Sequence, residues 1–430
     1  MDIQEIHQLF LQCSSVSTDT RKIGHNSLFI ALKGDRFDAN AFAAEALQKG
    51  ALYAIIDNKE YYVNYRTILV NDALSTLQEL AKFHRSFLGL PIIALTGSNG
   101  KTTTKELVNI ALAKKFNTKA TIGNLNNHIG VPLTLLSFDE NTEMGIVEMG
   151  ANHQKEIAFL CSLANPDYGY ITNFGKAHLE GFGGFEGVIK GKSEMYGYLS
   201  ANNKTAFINL NDDIQVAKTK TINTVSFGLN NTDAFLNIST VTANPFVTIV
   251  YDATEINSHL IGLYNASNIS AAVTIGKYFD ISDSEIRDAI EGYVPKNNRS
   301  QLITKGSNEI ILDAYNANPS SMKVAIENFQ QLTNPNKVLF LGDMFELGPE
   351  SPQEHAQIIS TLSRNPETAC YFIGKDFFAN KTANPNFHFF ESFDVLAAHT
   401  KLRKLQHAAI LIKGSRGMAL ERILDLLPES

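Results

Sequence analysis

Short apolar runs recur along the chain, and many of them end in glycine, asparagine or threonine just before a stretch with helical spacing. The opening residues, "MDIQEIHQLF", predict a short amphipathic helix. "SLFIAL" (Ser27 to Leu32) and "GALYAIID" (Gly50 to Asp57) read as buried strands around a helix, which makes a small α/β unit of residues 1–88. From Pro91 the texture is regular: "IIALTG" (Ile92 to Gly97), "MGIVEMG" (Met144 to Gly150), "DYGYITNFG" (Asp167 to Gly175) and "KTAFINL" (Lys204 to Leu210) each precede helical sequence. Buried strands alternating with helices predict a parallel sheet covered on both faces. Between Thr221 and His259 the chain is rich in Thr, Asn and Val, which predicts a few antiparallel strands at the sheet edge. After "YVPKNN" a third unit begins, with strands expected in "EIILDAYN" (Glu309 to Asn316), "KVLFLGDM" (Lys337 to Met344), "ACYFIG" (Ala369 to Gly374) and "AAILIKGSRG" (Ala408 to Gly417).

At 430 residues the chain is too long for one ordinary core, so clefts between domains are expected. Lys plus Arg number 37 against 44 Asp plus Glu, a net charge of -7. That balance argues against a nucleic-acid or anionic-membrane partner. Cys13, Cys161 and Cys370 lie far apart, which excludes a CxxC motif, a local zinc knuckle and a disulfide framework. The N-terminus has no apolar signal core, and no run of about 18 apolar residues occurs. The expectation is a soluble cytoplasmic protein without membrane insertion and with no further catalytic domain behind residue 430.

The chemistry starts at "IIALTGSNGKTTTKEL". Here Gly97, Ser98, Asn99, Gly100, Lys101, Thr102 and Thr103 form a turn between a buried strand and a helix. Glycines let backbone N–H groups turn toward an anion, and the helix N-terminus adds its positive end. Lys101 can reach the outer phosphates of a nucleotide triphosphate, and the Thr102 hydroxyl can ligate Mg²⁺. Two residues separate the glycines where the general phosphate loop has four. Glu148 ends the apolar run "GIVEMG", at the sheet edge where ligands bind, and a carboxylate beside Lys101 and Thr102 suits Mg²⁺. The expected fold class is α/β with three domains: a small N-terminal α/β domain (1–88), a central P-loop ATPase-like doubly wound parallel sheet (89–298) and a C-terminal Rossmann-like α/β domain (299–430).

The shortened loop is typical of the Mur ligase superfamily, to which the folylpolyglutamate synthases are related. "GNLNNHIGVPLTLL", "GIVEMGANHQKEI", "ITNFGKAHLEGFGGFEGVIKGKSEMY", "LDAYNANPSSM", "LGDMFELG" and "LIKGSRGMALE" resemble it across all three domains. "AYNANP" and "GDMFELG" resemble the branch that joins D-alanyl-D-alanine to UDP-MurNAc-tripeptide. "VSTDTRKIGHNSLFIALKGDRFDANAF" is similar to the family's uridine-nucleotide-binding domain. The resemblance implies an ATP-dependent amide ligase that works through an acyl phosphate with two Mg²⁺ ions, acting as a monomer on small-molecule substrates. The alternatives are a sister Mur or folylpolyglutamate-type ligase with another amine acceptor, or a P-loop nucleotide-binding module that does not ligate.

Further site residues are implied by the same resemblance. His178 would serve the second Mg²⁺. Residue chemistry alone reads Lys190 and Lys192 as solvated helix charges, whereas the resemblance makes Lys192 a carbamylated ligand of that ion. Asn265 and Asn268 match an Asn-x-x-Asn near adenine and phosphates, although Tyr264 stands where the family often has histidine. Arg299 would reach the phosphates when the domains close, Asp313 would lie by the ribose, and Asn316 and Asn318 would serve nucleotide and dipeptide. Tyr315 is either a core aromatic or a site residue. Lys413 suits a phosphate or the dipeptide carboxylate, and Asn126 and Asn127 fall on the substrate side. Ser17, Thr20, Arg21, Lys33 and Gly34 would take the uracil and diphosphate, with "DAN" (Asp38 to Asn40) replacing a frequent Gly-His pair.

Overall fold

A computed structural model describes residues 1–296, 298–365, 367–399, 402 and 404–429. Ser430, the expected end of the third unit, lies outside them. A four-stranded parallel sheet runs in the order Val16–Ser17, Leu28–Ile30, Tyr53–Ile56, Thr67–Leu69, and the hairpin of Lys33–Gly34 with Phe37–Asp38 stands beside it. The central sheet has nine strands. Ile92–Thr96 lies between Tyr168–Ile171 and Met144–Glu148, all parallel, and all five of its residues are buried. The third sheet has six strands, with Ala409–Lys413 between Asn308–Asp313 and Lys337–Gly342. The α/β class and three-domain architecture read from the sequence are those of the structure.

Differences fall at the edges. Asn223–Leu229 continues the parallel sheet beside Thr205–Asn209, so antiparallel pairing starts only with Leu236–Ala243, Phe246–Tyr251 and Thr254–Ile261. Gln301–Lys305 and Phe387–Phe390 are edge strands with no long apolar run, and Thr118–Ala120 is half-buried throughout. An edge strand is covered on fewer sides, so its sequence need not be continuously hydrophobic.

The helix Ala73–Leu88 ties the first two units together. Asp72 caps it by accepting from the Ser75 N–H at 2.6 Å, and Gly89 ends it with φ of 64°. Its Leu77, Leu80 and Ala81 share one continuous core with Ile30 and Ile55 of the small sheet and with Val147, Leu160 and Ile171 of the central unit. Burial of each leucine contributes about 1.5–3 kcal/mol. Arg85 on the same helix reaches across, its Nε donating to the Ala164 carbonyl at 2.9 Å and its guanidinium pairing with Asp167 at 2.9 Å.

A histidine chain reinforces this junction. His84 Nε2 lies 2.9 Å from the Phe138 carbonyl, which can only accept, so His84 donates there and its Nδ1 is the acceptor. His7 Nε2, 3.0 Å from that Nδ1, must then be the donor, and both rings are neutral. Phe83 and Phe87 pack on the His7 ring. Burial, with the neighbouring His84 second, pushes His7 down to about 4, and burial also lowers His84. An unfolded imidazole takes a proton below about 6.5, so between pH 6.5 and about 4 the unfolded chain binds more protons than the folded one. Stability from this pair is therefore present above pH 6.5 and lost as pH falls. Compared by urea midpoint with His7→Leu, the wild type should lose part of its advantage between pH 7.5 and 5, whereas a difference independent of pH would contradict the neutral pair.

Candidate active site

The carboxyl ends of the central and C-terminal sheets face each other across a cavity of about 660 Å³. Ligands of open α/β sheets bind at such ends. The loop after Ile92–Thr96 supplies one wall. Gly97 has φ of 139°, and a Cβ there would sit 2.0 Å from Thr172 Oγ1; Gly100 has φ of 79°, and a Cβ would meet Asn268 Oδ1 at 2.6 Å. Only glycine fits both positions. The helix Lys101–Leu112 then starts with its N-terminus at the cavity. The Lys101 ammonium donates to the carbonyls of Gly97 (2.7 Å) and Ser98 (3.3 Å), and burial lowers its pKa.

Glu148 is 2% exposed, although it carries a carboxylate. Its Oε2 accepts from the Thr102 hydroxyl and its Oε1 from Asn126 Nδ2, both at 2.8 Å. These are neutral donors, and among the described residues no cationic side chain pairs directly with it. A buried carboxylate satisfied only by neutral groups at a cavity wall is suited to a cation.

The helix Phe185–Ala201 separates the two candidate lysines. A two-residue step turns a helix by about 200°, so Lys190 is exposed and Lys192 is buried at 1% exposure. Lys192 Nζ donates to the Ala151 carbonyl at 3.0 Å and lies 5.0 Å from the Phe182 ring centroid. Burial first, and the charge of Lys101 second, hold it well below the usual lysine range. His178 lies on the cavity wall in the left-handed conformation (φ 53°), its Nδ1 2.5 Å from Glu346 Oε2. That contact holds the Glu346 carboxyl below its ordinary range.

The opposite wall is C-terminal. The Arg299 guanidinium lies 3.5 Å from the Tyr315 ring centroid, and both line the cavity. Tyr315 is thus a cation platform at the site. Asp313 Oδ1 accepts from the Ser300 N–H at 3.1 Å, while its Oδ2 is 2.5 Å from Lys413 Nζ. Lys413, expected to meet a phosphate or substrate carboxylate, is 2% exposed and committed to Asp313 and the Asn316 carbonyl. Tyr264, at the position that is often histidine, shares a hydrogen bond of 2.6 Å with the Ser300 hydroxyl. Asn268 donates to Asn265 Oδ1 at 2.7 Å and accepts from Thr104 at 3.0 Å. Asn318 Nδ2 donates to Asn99 Oδ1 at 2.7 Å and so joins the two walls.

The residues on the substrate side divide. Asn127 lines the cavity, but its Oδ1 is taken up by the N–H groups of Ile129 and Gly130. Ser17, Thr20, Arg21, Lys33 and Gly34 are not brought to this cavity; they belong to the small N-terminal unit and its hairpin. Arg21 is held by Asp19, and Lys33 Nζ is 2.8 Å from Asp57. Sequence reasoning assigned no role to Asn173, Phe345 or Glu346, which also line the cavity. Glu346 stood inside the quoted "GDMFELG", but only the fold shows that it faces His178.

Asp343, His355 and Asp376 cluster closely behind this wall. His355 Nδ1 lies 2.7 Å from the Ser351 carbonyl and therefore donates, so Nε2 accepts from the Met344 N–H at 3.0 Å. Asp343 accepts from the N–H groups of Phe377 and Asp376. These polar atoms are engaged in holding the turn, which makes the cluster structural.

The family pattern described as "Mur ligase middle domain" matches residues 95–276, and that described as "Mur ligase, glutamate ligase domain" matches residues 298–416. The chain is 36% identical to the UDP-N-acetylmuramoyl-tripeptide–D-alanyl-D-alanine ligase of Bacillus subtilis, covering 96% of this chain and 93% of that protein. It superposes on MurF from Acinetobacter baumannii with a TM-score of 0.86 at 28% identity, over 99% of this chain and 98% of the other. On MurF ligase from Thermotoga maritima in complex with ADP the TM-score is 0.84 at 26% identity, over 97% of each chain.

The close approach at Gly97 carries a direct test. Gly97→Ala must displace Thr172 or the loop itself, and MgADP binding followed by titration calorimetry should weaken at least about tenfold, or about 1.4 kcal/mol. An unchanged affinity would separate the loop from nucleotide binding.

Proposed function

The chain belongs to the Mur ligase family, in its MurF branch, and on that premise we propose that it joins D-alanyl-D-alanine to UDP-MurNAc-tripeptide with cleavage of ATP to ADP and phosphate. The product is the UDP-MurNAc-pentapeptide of peptidoglycan synthesis. The observation that carries this reading is the convergence on one cavity of the phosphate loop, Glu148 and His178 from the central sheet with Arg299 and Asp313 from the C-terminal unit.

A carboxylate is a poor electrophile because oxide would have to leave. Attack of the tripeptide carboxylate on the γ-phosphorus breaks the bond to ADP and gives an acyl phosphate. The neutral amine of the dipeptide then attacks the carbonyl carbon and loses a proton to base. The tetrahedral oxyanion collapses with departure of phosphate. The protein's contribution is alignment and charge neutralisation.

In this reading the backbone of Gly97, Ser98, Asn99, Gly100 and Thr103 cradles the phosphates, and Lys101 moves its ammonium onto them. Thr102 and Glu148 hold one Mg²⁺, which fits their buried, cation-free pairing. His178 and a carbamate on Lys192 hold a second. When bound, the metal neutralises phosphate charge during transfer. Lys192 suits carbamylation because burial lowers the proton affinity of its amine, and the unprotonated nitrogen can attack CO₂ and form an N–C bond with loss of a proton. Arg299, braced on Tyr315, meets the outer phosphates. Asp313, positioned by Lys413, serves the ribose with Asn316, while Asn265 and Asn268 back the nucleotide. Asn126, Asn127 and Asn318 face the acceptor side, and Ser17, Thr20, Arg21, Lys33 and Gly34 take the UDP end. Units 1–88, 89–298 and 299–430 divide these tasks in a monomer. No described helix is long and apolar enough to cross a membrane, and we place the reaction in the cytoplasm, where ATP is supplied.

Phosphate release from MgATP and UDP-MurNAc-tripeptide should require D-alanyl-D-alanine and fall about 10²-fold or more in Lys101→Ala. Release supported by another amine would transfer the chain to a sister activity, and release indifferent to any amine would leave a nucleotide-binding module. With ¹³C-bicarbonate, the wild type should show one carbamate carbon resonance that Lys192→Arg lacks. Its survival in that variant would remove Lys192 as the modified residue.

A further inference from the structure

Glu346 belongs to the C-terminal unit and His178 to the central one, yet their side chains meet at 2.5 Å on the wall of the shared cavity. Both residues adopt left-handed backbone, with φ of 53° at His178 and 63° at Glu346. Such a conformation is unfavourable for a residue with a side chain, so two facing each other across a domain junction need a strong local reason. The backbones meet as well, the Glu180 N–H donating to the Glu346 carbonyl at 3.2 Å. The turn carrying Glu346 is clamped just before it. Met344 N–H donates to His355 Nε2 at 3.0 Å and Phe345 N–H to the Ser415 hydroxyl at 2.9 Å. The carboxylate is therefore delivered to His178 by a rigid turn of the other domain.

A carboxylate packed this closely on an imidazole fixes the position of the ring, a support that metal-binding histidines use. We propose that Glu346 is a positioning residue for His178, so that the second cation site is complete only while the C-terminal domain is docked on the central one. The inference rests on the reading of His178 as a cation ligand. It adds that this ligand is set by a carboxylate from the opposite domain, which makes domain docking a condition of cation binding. Lys176 and Glu354, paired at 2.5 Å, and Asn318 with Asn99 hold the same junction without touching His178.

Mn²⁺ in place of Mg²⁺ makes the two sites countable by electron paramagnetic resonance, in the full chain with ADP and without turnover. The wild type should bind two ions. His178→Ala should lose one, and Glu346→Ala should weaken that same ion about 10-fold to 100-fold while leaving the Thr102 and Glu148 ion unchanged. Glu346→Gln, which keeps an acceptor oxygen, should recover part of the affinity. Thermal unfolding of each variant reports whether the turn has been damaged, and Lys176→Ala, which loosens the junction elsewhere, separates general docking from the contact itself. If His178→Ala loses the ion and Glu346→Ala retains it at wild-type affinity, Glu346 has no positioning role. If His178→Ala still binds two ions, the reading of His178 as a ligand fails, and the inference with it.

Discussion

A carboxylate buried at 2% exposure with only neutral hydrogen-bond donors is the constraint around which this site is organised. Glu148 ends a fully buried strand, so its charge can neither retreat to water nor be neutralised by a surface partner. Burial of an unpaired ion is unfavourable by several kcal/mol unless an opposite charge is supplied. The surrounding residues are arranged for that supply. Thr102 and Asn126 satisfy the lone pairs without cancelling the charge, and the helix beginning at Lys101 turns its positive end toward the same space. Fixed charges of this kind lose little to reorganisation when phosphate charge shifts during transfer.

Lys192 presents the complementary case. Its amine is as deeply buried as Glu148 and its nearest acceptor is a peptide carbonyl, so it loses its proton more readily than a solvated lysine. Conversion to the proposed carbamate would turn a destabilised cation into an anion, a negative cation ligand that no genetically encoded acid at this position provides. Lys190, two residues earlier on the same helix, is exposed to solvent.

Domain junctions in this chain are not loose tethers. The helix Ala73–Leu88 contributes side chains to a core that spans the small and central sheets, and His7 and His84 extend the contact with hydrogen bonds that require both rings to be neutral. At the other junction Leu179, Phe182 and Val188 of the central unit are buried in the same cluster as Met322, Leu341 and Met344 of the C-terminal one. Apolar contact of that kind brings Asp313, Arg299 and Glu346 to within reach of the phosphate loop. Small polar contacts such as Asn99 with Asn318 then set the register.

The local chemistry was legible in the amino-acid order because it depends on neighbours in the chain. A buried strand, Gly97 and Gly100 in the turn after it, Lys101 and Thr102 at a helix start, and a carboxylate ending the next apolar run specify a phosphate site without knowledge of the rest. The same holds for the buried parallel strands, whereas edge strands such as Gln301–Lys305 and Phe387–Phe390 carry too little continuous hydrophobicity to announce themselves. Other features depend on residues far apart in the chain, and only the tertiary structure decided them. Helical phase and the depth of packing distinguish Lys192 from Lys190, and the parallel order of strands ending at Asp313 and Lys413 pairs those two residues rather than leaving the lysine free. Tyr315 became a platform because Arg299 folds over it, and Glu346 meets His178 only because two domains dock. Charge burial and contact are properties of the packed fold, and residues as far apart in the chain as His178 and Glu346 acquire them only when their sheets turn the same edge toward one cavity.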